Sequence, residues 1–104
     1  MEIAKIKKIA ERLGWKVDEY GDGTVEFRKY SPAGEDFSFI VNAKEAAKEI
    51  YEYYDGFDVD EHIEMRIEAR KSGVPGVPST RELVQDAEDI SEMLKELAGA
   101  MMSA

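Results

Sequence analysis

The chain has 104 residues, with 14 Lys plus Arg against 23 Asp plus Glu, one His and no Cys, for a formal net charge of -9. One domain is the expectation at this length, and 43% apolar residues supply a core that a disordered chain would lack. The missing cysteines exclude disulfides, thiolate nucleophiles, iron–sulfur clusters and thiolate zinc sites, and no run approaches the about 18 apolar residues of a membrane span, so a soluble cytoplasmic protein with no membrane partner is expected.

From Glu2 to Leu13, Ile3, Ile6, Ile9, Ala10 and Leu13 recur at helical spacing and Gly14 follows as a stop, which predicts an amphipathic helix. WKVDEY (15–20), the turn GDG (21–23) and TVEFRKY (24–30) read as a β-hairpin. The turn SPAGED (31–36) leads to FSFIV, where Phe37, Phe39 and Val41 share one face of a third antiparallel strand. Asn42 with Glu45 has capping-box spacing and opens a second helix with Ala46, Ala47, Ile50 and Tyr54 on its buried stripe. Asp58 with Glu61 repeats the cap for a third helix carrying Val59, Ile63, Ile67 and Arg70 to Gly73. A short stiff loop, GVPGVP (73–78), follows. Ser79 with Glu82 caps a long last helix whose Leu83, Ala87, Ile90, Leu94, Leu97 and Met101 form a heptad-like seam.

All the aromatic residues lie between Trp15 and Phe57. The sequence therefore reads as an α+β protein of αβββααα order. An αβββα unit (1–57) and a helical hairpin (58–104) share one core in a single domain (1–104), because the hairpin has too little bulk for a core of its own. The last seam packs within the chain, with a homodimer through the last helix as the alternative to a monomer.

The chemistry available is narrow. His62 is the only histidine, which closes multi-histidine metal sites, and no Gly-x-Ser-x-Gly elbow offers it a serine; the plain reading is a boundary histidine that packs and hydrogen-bonds. An EF-hand started at Asp58 places Ile63 where glycine is needed and Ala69 where the bidentate glutamate belongs. GDG and GVPGVP lack the chemistry of a phosphate loop. The sequence thus predicts no catalytic residue, no metal and no cofactor, and no enzyme; a carboxylate pair, Asp58 with Glu61, is the nearest enzymatic alternative.

Charge is unevenly placed. Residues 1–17 hold five bases and two acids, residues 18–60 four and twelve, and residues 61–104 five and nine. Lys5, Lys8 and Arg12 form a row on the first helix; with Lys16, Arg28 and Lys29 they are the candidate nucleic-acid-binding set. On the last helix Glu82, Asp86, Glu88, Asp89, Glu92 and Glu96 stand against Lys95, a net of about -5 over roughly 22 Å of helix, approaching the charge density of a nucleic-acid strand. Such a face repels nucleic acid and suits the basic groove of a protein that handles it. The candidate partner face is therefore Glu82, Asp86, Asp89, Glu92 and Glu96 with Asp58, Asp60, Glu61, Glu64 and Glu68; the competing reading is a face that serves solubility alone.

Two resemblances bear on these readings. The order helix, three strands, helix in residues 1–54 is similar in topology to the double-stranded RNA-binding domain. That family's second helix opens on phosphate-gripping lysines, whereas here Lys44 and Lys48 alternate with Glu45 and Glu49. SPAGEDFSF (31–39), DEHIEM (60–65) and GVPSTRELVQDAEDI (76–90) resemble an uncharacterised family of small acidic proteins of bacteria, phages and mobile elements. That resemblance implies a setting in which inhibitors of host defence are encoded, including anti-CRISPR and anti-restriction proteins that mimic DNA. The expectation is a non-enzymatic acidic interaction protein that occupies the basic groove of a partner, specifically a defence nuclease. Direct nucleic-acid binding through the first helix, or a soluble domain without such a partner, is the alternative.

Overall fold

A computed structural model describes residues 2–73, 75 and 79–104. It has the expected α+β order: α1 (Ile3–Arg12), β1 (Lys16–Glu19), β2 (Thr24–Tyr30), β3 (Asp36–Asn42), α2 (Ala46–Gly56), α3 (Val59–Lys71) and α4 (Thr80–Met102). The stiff loop read at GVPGVP falls largely outside the described residues, which omit 74 and 76–78.

The sheet is an antiparallel meander of order β1-β2-β3, with Val17 opposite Phe27 and Phe27 opposite Phe39. Strand alternation sends Val17, Val25, Phe27, Phe37, Phe39 and Val41 to one face, where α1, α2 and α4 bury them; Glu26, Arg28, Ser38 and Ile40 lie on the other. Trp15 lies edge-on to Phe27 and Phe39, which stack on each other at 5.3 Å between ring centroids. Its indole N–H is buried without a hydrogen-bond partner among the described residues.

The apolar seam of α4 is buried throughout, and Ile90, Leu94, Leu97 and Met101 join the same cluster as Ile6, Trp15, Phe27 and Ile50. The seam is thus occupied inside the chain. In contrast, no side chain of α3 is fully buried: Val59, Ile63 and Ile67 are half-covered where the helix lies against α4.

The caps follow local chemistry in two of three cases. Asp58 Oδ1 accepts the Glu61 amide at 3.1 Å, and Ser79 Oγ accepts the Glu82 amide while donating to Glu82 Oε1 at 3.0 Å. The third cap is corrected. Asn42 makes no side-chain cap; Ala43–Glu45 winds as a 3-10 turn, and Glu49 reaches back to take the Asn42 amide at 3.0 Å. At the end of α1, Gly14 adopts φ +88, which a side chain would resist, and Lys29 Nζ donates to the free Leu13 carbonyl at 2.6 Å.

Candidate functional site

The acidic residues separate into two stripes. On α3, Asp60, Glu61, Glu64 and Glu68 fall within an arc of about 100° at 100° per residue, and all four are exposed. Asp58 stands at the N-cap of the same helix. On α4, Glu82, Asp89, Glu92 and Glu96 fall within about 80°, exposed except for half-buried Asp89. The two stripes front different depressions: Asp58 and Glu61 line one with Tyr53 and Met65, while Asp89, Glu92 and Glu96 line another with Lys29 and Lys95.

Among the described residues, no Lys or Arg lies within ion-pair distance of Asp58, Asp60, Glu61, Glu64, Glu82, Asp89, Glu92 or Glu96; Glu68 pairs with Lys71 at 3.5 Å. Gln85 donates to Asp89 at 3.1 Å.

Asp86 does not belong to this face. It is 3% exposed, and its carboxylate accepts the Ser31 hydroxyl at 2.8 Å and the Ala33 amide at 3.0 Å. Its place on the helix, between Leu83 and Ile90 in the buried row, turns it inward, where it binds the β2–β3 loop. Glu88, one turn before Glu92 and about 40° from it around the helix, borders the stripe on the Lys95 side. The four stripe carboxylates span about 21 Å at rises of about 10.5, 4.5 and 6 Å, a mean of about 7 Å against about 3.4 Å per phosphate of a strand.

The same loop is gripped from α3. Glu35 is 10% exposed by its side chain; His62 Nε2 lies 2.9 Å from its Oε2, and Arg66 Nε lies 2.7 Å from its Oε1, at an angle that makes a close ion pair rather than a hydrogen bond. Burial pushes the Glu35 carboxyl up, but the His62 hydrogen bond and the charges of His62 and Arg66 outweigh it and hold the carboxyl below its ordinary value. The His62 ring packs on Phe57 at 5.3 Å and Phe37 at 6.3 Å, as a boundary histidine does. Among the described residues, no group of three His, Cys, Asp or Glu side chains converges as a metal site. The least exposed charged groups that meet in space, Glu35 with His62 and Arg66, tie α3 to the β2–β3 loop.

The basic set is also divided. Lys5, Lys8, Arg12 and Lys16 are exposed without an acidic partner among the described residues. Arg28 faces Glu26 at 3.5 Å and Asp36 at 3.6 Å, and Lys29 is committed to the Leu13 carbonyl, with its ammonium 5.8 Å from the Trp15 ring centroid.

Sequence reasoning missed a groove beside β3. Tyr53 and Phe57 of the α2 end, with His62 and Met65 of α3, line two adjoining depressions, one also walled by Asp36 and Ser38 of the strand. The aromatic end of α2 and the exposed Met65 were the sequence signals; the pairing of sheet edge and helix needed the fold. No described helix is long and apolar enough to cross a membrane. Comparisons with protein-family models, curated proteins and solved structures return no match for this chain.

Proposed function

We propose that the protein is a non-enzymatic binding module that presents carboxylates to a basic partner and competes there with nucleic acid; its specific form would be an inhibitor of a defence nuclease, of the anti-CRISPR or anti-restriction kind. The α4 stripe is the observation that carries this reading. Glu82, Asp89, Glu92 and Glu96 lack cationic partners among the described residues and stand on a helix whose opposite face is locked into the core. Carboxylates held on a rigid helix meet a phosphate channel without the ordering cost of a flexible tail. Their mean density, one charge per about 7 Å of helix, is about half that of a strand's phosphates. The α3 stripe would extend the contact only on a partner broad enough to reach both.

The test is displacement of labelled duplex DNA from purified restriction and CRISPR effector nucleases, followed by anisotropy at low and high salt. Competition is expected at low salt and should fade as exposed charges become screened within about 10 Å at 0.1 M. Direct binding of labelled duplex RNA or DNA by the protein itself, lost on Lys5→Glu with Lys8→Glu, would instead support the α1 reading.

A further inference from the structure

Every strand in a sheet has two edges, and β3 has used only one. The Ala43 amide bonds to the Gly23 carbonyl at 2.9 Å and the Ser31 amide to the Glu35 carbonyl at 2.8 Å. These two bonds bracket the β2–β3 ladder and set its parity: the odd-numbered residues of β3 exchange main-chain bonds with β2, and Asp36, Ser38, Ile40 and Asn42 turn theirs outward. Glu49 takes the outward Asn42 amide. Among the described residues, no group bonds the outward amides of Ser38 and Ile40.

Glu49 covers the Asn42 end of this edge and Asp36 puts a charge at the other, but the stretch between them at Ser38 and Ile40 is left open. β3 is seven residues long and pairs without a bulge, Asp36 is its one charged residue, and Ile40 is 54% exposed. The opposite edge, β1, is four residues long, begins at Lys16 and lies against α1. Beside the β3 edge runs the groove walled by Tyr53, Phe57 and Met65, the last 57% exposed, with an open volume of about 540 Å³ in its larger part. Its acids are Glu35, Asp36, Glu52, Asp58 and Glu61. Glu35 holds Arg66, the one Arg on the wall among the described residues, Asp36 faces Arg28 and Glu52 faces Lys48. That leaves Asp58 and Glu61 as the acids of the rim without a cation in ion-pair distance among the described residues.

We propose that the free edge of β3 and this groove dock an extended segment of a partner protein in which Lys or Arg alternates with apolar residues, added as a fourth strand. Strand addition draws affinity from the main chain of Ser38 and Ile40 and specificity from alternate side chains. Apolar side chains would enter between Tyr53, Phe57 and Met65, and the basic ones would reach the acidic rim. A second copy of this chain fits poorly, since it would bring another -9 to the same edge. The site goes beyond the proposed function, which uses α4.

The probe is a fluorescein-labelled octapeptide alternating Val and Lys, titrated by anisotropy and by amide chemical shifts. Saturable binding is expected, with shifts centred on Ser38, Ile40, Tyr53 and Met65. At least about tenfold weakening is expected when the edge-facing peptide amides are N-methylated, when Glu replaces Lys in the peptide, and in Ser38→Pro. Proline at Ser38 deletes an outward amide while sparing the β2 ladder, and Trp15 emission reports whether that variant folds. Glu92→Lys with Glu96→Lys should leave peptide binding unchanged, so failure of the α4 reading does not decide this one. The proposal is overturned if no peptide binds, if the N-methylated or Glu peptide binds equally, if the shifts centre on α4, or if Ser38→Pro abolishes a self-association that shows a second copy on the edge.

Discussion

Asp86 Oδ2 accepts the Ser31 hydroxyl at 2.8 Å across 55 residues of chain, and the same hydroxyl accepts the Glu35 amide at 2.9 Å. With Asp86 Oδ1 on the Ala33 amide, one buried carboxylate organises the whole turn. Asp86→Ala strands a hydroxyl and an amide where water is excluded, so it should cost about 1–3 kcal/mol. Asp86→Asn keeps one acceptor and should cost less. Urea unfolding followed by emission of Trp15, the single and buried tryptophan, measures both; a cost below about 0.5 kcal/mol for Asp86→Ala would show that the carboxylate's hydrogen bonds do not matter.

The Glu35 grip gives stability a defined dependence on acid. Its folded-state pKa lies below the unfolded one, so its contribution is fully present above the ordinary glutamate range near pH 4.3 and is lost as pH falls through the lower folded value. Glu35→Gln should destabilise at neutral pH by about 1–3 kcal/mol and flatten this part of the acid-unfolding curve. Urea midpoints at steps from pH 6 down to pH 3 decide it: parallel curves for wild type and variant would remove Glu35 from the acid response. The single His62 gives one pair of ring resonances, so their displacement in Glu35→Gln at a fixed pH reports the contact directly.

How much could be read beforehand differs by element. The helices, the hairpin and the caps at Asp58 and Ser79 follow from local periodicity and side-chain chemistry, and they are present as expected. Asn42 failed as a cap because Glu49, one helical turn further, competes for its amide. Asp86 carried a signal that charge counting overrode: it occupies the Leu83–Ala87–Ile90 row, where only a residue with buried partners can sit. Glu35 carried none, since His62 and Arg66 reach it from a separate helix. The groove beside β3 is likewise a product of tertiary packing.

Lys29 ties β2 to the end of α1. Lys29→Met keeps most of the stem against Trp15 but removes the donor from the Leu13 carbonyl at a helix C-terminus, where a cation is favoured. A loss of about 1 kcal/mol is expected, with faster amide exchange confined to the last turn of α1. Exchange that speeds up equally across the sheet would mean that the lysine acts through the core and not through the helix end.

The α4 stripe can be tested without disturbing the core, provided Asp86 is left alone. Glu92 and Glu96 are exposed and Glu82 sits at the first turn, where its side chain meets Ser79. Glu92→Lys with Glu96→Lys should change stability by no more than about 0.5 kcal/mol, while removing two of the four stripe charges and placing two cations there. If the stripe occupies a phosphate channel, the double variant should lose competition with duplex DNA and the wild type should lose it steeply with salt, both read by the displacement assay. A double variant that folds and competes as well as wild type would sink the mimicry reading and leave the charge a solubility role.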